Sequence, residues 1–184
     1  VGPTEPNEPD NDSLAELKQA AENGFTLAQY QLGRMYLLAE GGVEKNPELA
    51  IKWLERAAKQ GHANAQYYMA GIYFSGRGRP KDLEAAAHWA MVAAEANSKN
   101  QAQFKALRDG ILAQATQAQA QAAKEMAANF APTKELTNAR LKELAEGGDP
   151  RAQQTLGYRL IGGREGLEQD PQAAVDWWLR AAKQ

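Results

Sequence analysis

The side chains able to do covalent or metal chemistry are few in these 184 residues. Serine occurs only at Ser13, Ser75 and Ser98, and none of them opens an S-x-x-K or sits in a G-x-S-x-G. The nucleophile settings that those spacings provide are therefore missing. Cysteine is absent, which removes thiolate nucleophiles, disulfides and cysteine-based metal sites together. His62 and His88 are the only histidines, and neither has a second histidine three or four positions away. Zinc sites draw several ligands from such short spacings, so metal binding is not expected. Asp10-Asn11-Asp12 starts like a calcium loop but fails as one. Leu14 stands where a ligand is needed and no glycine follows. Gly76-Arg77-Gly78-Arg79 and Gly162-Gly163-Arg164-Glu165-Gly166 are glycine-rich, as phosphate cradles are. Neither follows a strand or ends in Lys-Ser/Thr, so both are read as turns. Arg77, Arg79 and Lys81 form a small basic patch that could meet an acidic partner. The bland reading is a solvated loop. No cofactor is expected.

What remains is recognition chemistry on helices. Ala28, Leu32, Gly33 and Tyr36 recur at helical spacing and share one face. Glu40-Gly41-Gly42 supplies a glycine stop. Asn46-Pro47 supplies a cap and a first-turn proline. Ala50, Trp53, Leu54, Ala57 and Ala58 form the apolar stripe of a second helix. The unit then repeats. An offset of 124 residues carries Ala28 to Ala152, Leu32 to Leu156, Gly33 to Gly157, Trp53 to Trp177 and Lys59-Gln60 to Lys183-Gln184 without a gap. An offset of 37 carries Ala28 to Ala65 and Tyr36 to Tyr73, and beyond the loop an offset of 36 carries Trp53 to Trp89. A period in the mid-thirties with a two-helix unit marks an α-solenoid.

The pattern A-x-x-x-L-G-x-x-Y, a glycine-bearing turn, then A-x-x-W-x-x-x-A-A-x-x-G-H resembles the Sel-one-like repeat (SLR), a relative of the tetratricopeptide repeat. It is clearest over Ala28–His62 and returns over Ala65–Ala96 and Ala152–Gln184. Ala70 replaces the first-helix glycine in the second copy, and Leu160 replaces the tyrosine in the last. The resemblance implies an all-α superhelix of antiparallel helix pairs. It also implies a non-catalytic scaffold or adaptor role in bacterial signalling, envelope assembly or secretion. In such solenoids the first helices line a concave surface that holds extended peptides or partner helices.

Along the chain, Val1–Asp12 is rich in Pro and acid and poor in apolar residues, so a disordered linker is expected over residues 1–12. The chain opens at Val1 rather than Met, so it is read as processed or cut, with any signal peptide already gone. This points to an exported, periplasmic protein, with the cytoplasm as the alternative. Ser13-Leu14-Ala15-Glu16 has a capping-box pattern and opens a helix to about Asn23-Gly24, a terminal half-repeat. Helix pairs follow over about Thr26–Ala39 with Pro47–Gln60, and Asn64–Ser75 with Asp82–Asn97. Ala102-Gln103-Phe104 echoes Ala65-Gln66-Tyr67 at the start of a degenerate copy. Its second half, Gln114–Asn129, is Gln/Ala-rich but made of good helix formers. Ala131-Pro132 breaks the chain, and a helix from Thr133 to about Gly147 precedes a last pair, about Pro150–Ile161 and Pro171–Gln184. Residues 13–131 and 132–184 are thus expected as two helical blocks.

Hydrophobic content is 43%, enough for a core, and a net charge of −2 with pI near 5.8 argues against nucleic acid as a main ligand. No apolar run approaches a membrane span. Trp53, Trp89 and Trp177 fall at repeat-core positions, and Trp178 shares its register with Leu54 and Ala90. The off-stripe positions of the first helices are Gln31, Arg34, Tyr68, Ile72, Thr155, Tyr158 and Arg159. Aromatic and Arg side chains dominate binding hot spots. Arg34, Tyr68, Ile72, Tyr158 and Arg159 are therefore the expected partner-binding residues, for a protein or peptide ligand. Two rivals remain: an enzyme acting on cell-wall or other hydrolysable material, and a structural spacer within a larger protein. A carboxylate or histidine with a strongly shifted pKa inside a pocket would favour the enzyme.

Overall fold

The computed structural model describes residues 11–96, 98–132, 137–162 and 167–183. These residues contain ten α-helices and no strand. The chain forms two compact units, Val1–Thr133 and Lys134–Gln184. Unit 1 holds α1 (Asn11–Glu22), α2 (Thr26–Leu38), α3 (Pro47–Lys59), α4 (Ala63–Ser75), α5 (Leu83–Glu95), α6 (Gln101–Leu112) and α7 (Gln117–Ala128). Unit 2 holds α8 (Asn138–Glu146), α9 (Pro150–Gly162) and α10 (Pro171–Ala181).

The helix starts have local causes. Asn46 accepts a bond from the Leu49 N–H at 3.0 Å, Asp82 from Ala85 at 3.0 Å and Asp170 from Ala173 at 2.9 Å. Each satisfies an amide that helix geometry leaves without a partner. The same cap residue also closes its hairpin. The Asn46 N–H donates to the Tyr36 carbonyl, Asp82 to Tyr73 and Asp170 to Leu160, each at 2.9 Å. Repeat register, cap and loop closure are thus set by an Asn or Asp at one position.

Several local expectations are corrected. The first helix begins at Asn11, so Ser13 lies inside it. The earlier part of the expected linker lies outside the described residues. Among the described residues a capping box is formed at α7, where Thr116 and Gln119 satisfy each other's backbone N–H groups. Helix α2 stops at Leu38, two residues short of the glycines, because Ala39 itself takes the left-handed conformation, with φ 57°. Thr137 caps α8 through the Arg140 N–H at 3.2 Å, whereas the expected start at Thr133 lies outside the described residues. In α6, Ala102 and Gln103 are exposed and Phe104 is the buried residue, so the sequence echo there is out of structural register. The larger ring fills the space against Ala93 and Ala94.

The core of unit 1 is made mostly of alanine, with Leu54, Met69, Ile72, Trp89 and Ile111 giving it bulk. Small residues let helix backbones approach. At Gly33 an added Cβ would meet the Leu54 backbone N at 2.9 Å and the Ala50 carbonyl at 3.2 Å. Buried glutamines tie successive pairs together. The Gln29 side chain donates to the Ala21 carbonyl at 3.1 Å, Gln66 to Ala58 at 3.1 Å and Gln153 to Ala145 at 3.0 Å. All three are at most 3% exposed. In the degenerate copy Gln101 takes over, donating to Ala94 at 3.3 Å.

Candidate functional site

The first helices of unit 1, α2, α4 and α6, together line a cleft of about 240 Å³. Tyr67 and Tyr68 of α4 meet Leu37 and Leu38 of α2 and Leu107 of α6 there. Ile72 forms its floor, and Arg77, from the loop after α4, is its one charged lining residue. Ring contacts hold the walls in place. Tyr68 lies 6.1 Å from Tyr30 and 6.0 Å from Tyr67, and Tyr67 lies 5.2 Å from Phe104. The Tyr67 hydroxyl accepts a bond from Gln103 at 3.0 Å, which joins α4 to α6. Tyr30 stacks on His62 at 4.2 Å, and burial raises the Tyr30 pKa, with Tyr68 adding to the rise.

The expected site residues do not share one environment. Tyr68 lines the cleft and is half-buried. Ile72 lines it too but is only 3% exposed, so it supports the cleft more than it offers a surface. Arg34 lies outside the lining and is engaged with Glu40 at 3.0 Å. In unit 2, Tyr158 is 65% exposed and packs edge-on against Trp178, with ring centres 5.4 Å apart. Arg159 donates to the Asn138 side chain at 2.7 Å, which fastens α9 to α8. The spacing rule missed Leu37, Leu38 and Leu107. Leu38 follows Arg34 by one helical turn and was legible on the same face; Leu107 required the true packing of α6.

Both histidines have structural surroundings. His62 caps α4, its Nδ1 accepting from the Ala65 N–H at 3.2 Å, and burial lowers its pKa. His88 lies beneath Phe130 and beside Trp89, and burial lowers its pKa as well. Its Nδ1 is buried without a hydrogen-bond partner among the described residues. Of the three loop cations, Arg79 covers the Tyr73 ring at 3.8 Å and Lys81 the Phe74 ring at 5.1 Å, leaving Arg77, which is exposed, without a ring beneath it among the described residues. A second, larger cleft of about 650 Å³ lies among α5, α6 and α7, with Met91, Leu112 and Phe130 as apolar lining. Its charges balance: Glu95 and Asp109 against Arg108 and Lys124. Among the described residues no group of three or more His, Asp or Glu side chains could hold a metal ion, and no helix is long and apolar enough to cross a membrane.

The recurrence of cap, hairpin closure and buried glutamine matches a known repeat. The Sel1 repeat model matches residues 26–62, 63–98 and 150–184, more than half of the chain. The chain belongs to the Sel1 repeat family. Among its relatives is an exopolysaccharide production negative regulator of Rhizobium meliloti, 39% identical over 74 residues, which are 38% of this chain and 27% of the relative. Another is the chitin synthase regulator SKT5 of Saccharomyces cerevisiae, 36% identical over 96 residues, which are 52% of this chain and 14% of the relative. The chain thus spans roughly a quarter or less of these Sel1 relatives. A solved protective antigen of uropathogenic Escherichia coli, described as displaying an SLR fold, is 29% identical with a TM-score of 0.49. The match covers 91% of this chain and 32% of that one.

Proposed function

We propose that this Sel1 repeat chain is a non-catalytic adaptor that holds an extended segment of a partner protein in the cleft between α2, α4 and α6. One observation carries the reading: three first helices place aromatic and aliphatic side chains around an open cleft, braced by ring contacts and the Gln103–Tyr67 bond. A surface held in shape before binding loses less entropy when occupied. Large aromatic side chains are the usual anchors of such interfaces. The relatives' names, one a regulator of exopolysaccharide production and one a regulator of chitin synthase, support a regulatory role. Bacterial signalling or cell-envelope assembly, with an exported location, is the setting we propose for it.

The test is site-specific photo-crosslinking in the native host. A photo-reactive residue at Leu38, on the cleft, is compared with one at exposed Lys52 on α3. A partner trapped from position 38 and not from 52 is the expected result. Equal trapping from both, or none, would overturn the cleft as the binding site.

A further inference from the structure

We infer that the cleft of unit 1 selects acidic peptides, seating an apolar side chain against Tyr68 and Leu38 and a neighbouring Asp or Glu against Arg77. This rests on the adaptor reading above and adds the chemistry of the partner. The argument is charge complementarity. The lining has a single ionisable cation and no carboxylate. Arg77 is exposed and makes no ion pair with the described residues. The neighbouring cations are already occupied, Arg79 and Lys81 by aromatic rings and Arg34 by Glu40. A basic peptide would meet an uncompensated like charge there, whereas a carboxylate would gain a fork of guanidinium donors. The apolar walls argue for a mixed segment over a purely acidic one, since Leu37, Leu38 and Leu107 can bury an aliphatic or aromatic side chain. At about 240 Å³ the cleft lies below the roughly 300–1,000 Å³ usual for small-molecule pockets, which suits one or two side chains of an extended chain.

The experiment is selection of a random linear-peptide library displayed on phage, run in parallel on the wild-type chain, Arg77→Glu and Tyr68→Ala. Leu38→Gln serves in place of Tyr68→Ala if that variant loses its native circular dichroism. Leu38 is 47% exposed, so its replacement leaves the core intact. On the wild type we expect enrichment of Asp or Glu beside Leu, Ile, Phe or Met. On Arg77→Glu that preference turns to Lys or Arg. A synthetic peptide of the wild-type consensus should lose roughly tenfold in affinity on Arg77→Glu. Enriched peptides that depend on Tyr68 but show no charge preference, and bind Arg77→Glu equally, would overturn the acidic-peptide inference while leaving the cleft reading standing. No enrichment, or peptides indifferent to both variants, would overturn the inference and the cleft reading together.

Discussion

The first helix pair, α2–α3, and the last, α9–α10, are the same device at an offset of 124 residues, built to different tolerances. Both have a capped second helix and a hairpin closed at 2.9 Å. Both lay an arginine over the repeat tryptophan, Arg56 over Trp53 at 4.9 Å and Arg180 over Trp177 at 4.6 Å. They differ where the second helix presses on the first. At Gly33 the neighbour is Leu54, wholly buried, with the α3 backbone directly behind it. At Gly157 the neighbour is the half-buried indole of Trp178, whose Nε1 donates to the Gln154 carbonyl at 3.2 Å. Ala57 and Ala58 are 0% exposed under α4, whereas Ala181 is half-buried and Ala182 exposed. The same cap and hairpin closure therefore frame two differently filled joints, a leucine backed by main chain in one and a hydrogen-bonded indole in the other.

The largest break in this comparison is expected at the two glycines. Gly33→Ala should cost about 2–3 kcal/mol, because a backbone neighbour cannot step aside and overpacking outweighs alanine's better helix propensity. Gly157→Ala should cost about 1 kcal/mol or less, since the indole can swing out at the loss of its bond to Gln154. Urea titrations followed by circular dichroism would give both values, and a red-shifted tryptophan emission in Gly157→Ala would report the displaced ring. Equal losses would mean that the two joints are equally tight.

The buried glutamines test the same comparison where the two regions are alike. Gln66→Ala should cost about 1 kcal/mol, because it removes one bond to the wholly buried Ala58 carbonyl, which keeps the Gly61 N–H at 3.0 Å. Gln153→Ala removes the equivalent bond to Ala145 and should cost the same, because that site is also dry. A markedly smaller loss at Gln153 in the same urea titration would show that water reaches the last pair.

The smallest effect is a pH response confined to unit 1, which holds both histidines. Burial lowers the pKa of His62 and His88 in the folded state below the ordinary value of 6.5. The unfolded chain therefore binds more protons as the pH falls through that value, and stability declines from there toward the folded values. Above about pH 7 these residues leave stability unchanged. Thermal melts between pH 7.5 and 5.5 should show this fall, and His62→Asn with His88→Gln should flatten it. Asn keeps the capping function at position 62 while removing the titration.

Much of the fold was legible because it rests on short-range rules that recur. Asn46, Asp82 and Asp170 cap because a side-chain oxygen three residues before a free amide is a local arrangement, independent of what packs nearby. The tryptophan and alanine stripes showed the buried face of each second helix, since helical periodicity alone decides which residues share a side. Of the candidate site, Tyr68 was visible as a residue type at a groove position, and Arg77 only as part of a basic loop. That Arg77 alone of the loop cations faces the cleft unpaired, that Arg34 is spent on Glu40 and Arg159 on Asn138, and that Ile72 is covered were not visible. Each depends on a partner distant in sequence or on a loop path. Repeats and caps follow from spacing along one helix, so the chain by itself determined its all-α helix-pair architecture. The turn of Phe104 into the core, the seating of the Trp178 indole against Gly157 and the charge of the cleft were decided by which side chains meet across helices, and only the tertiary structure brings those together.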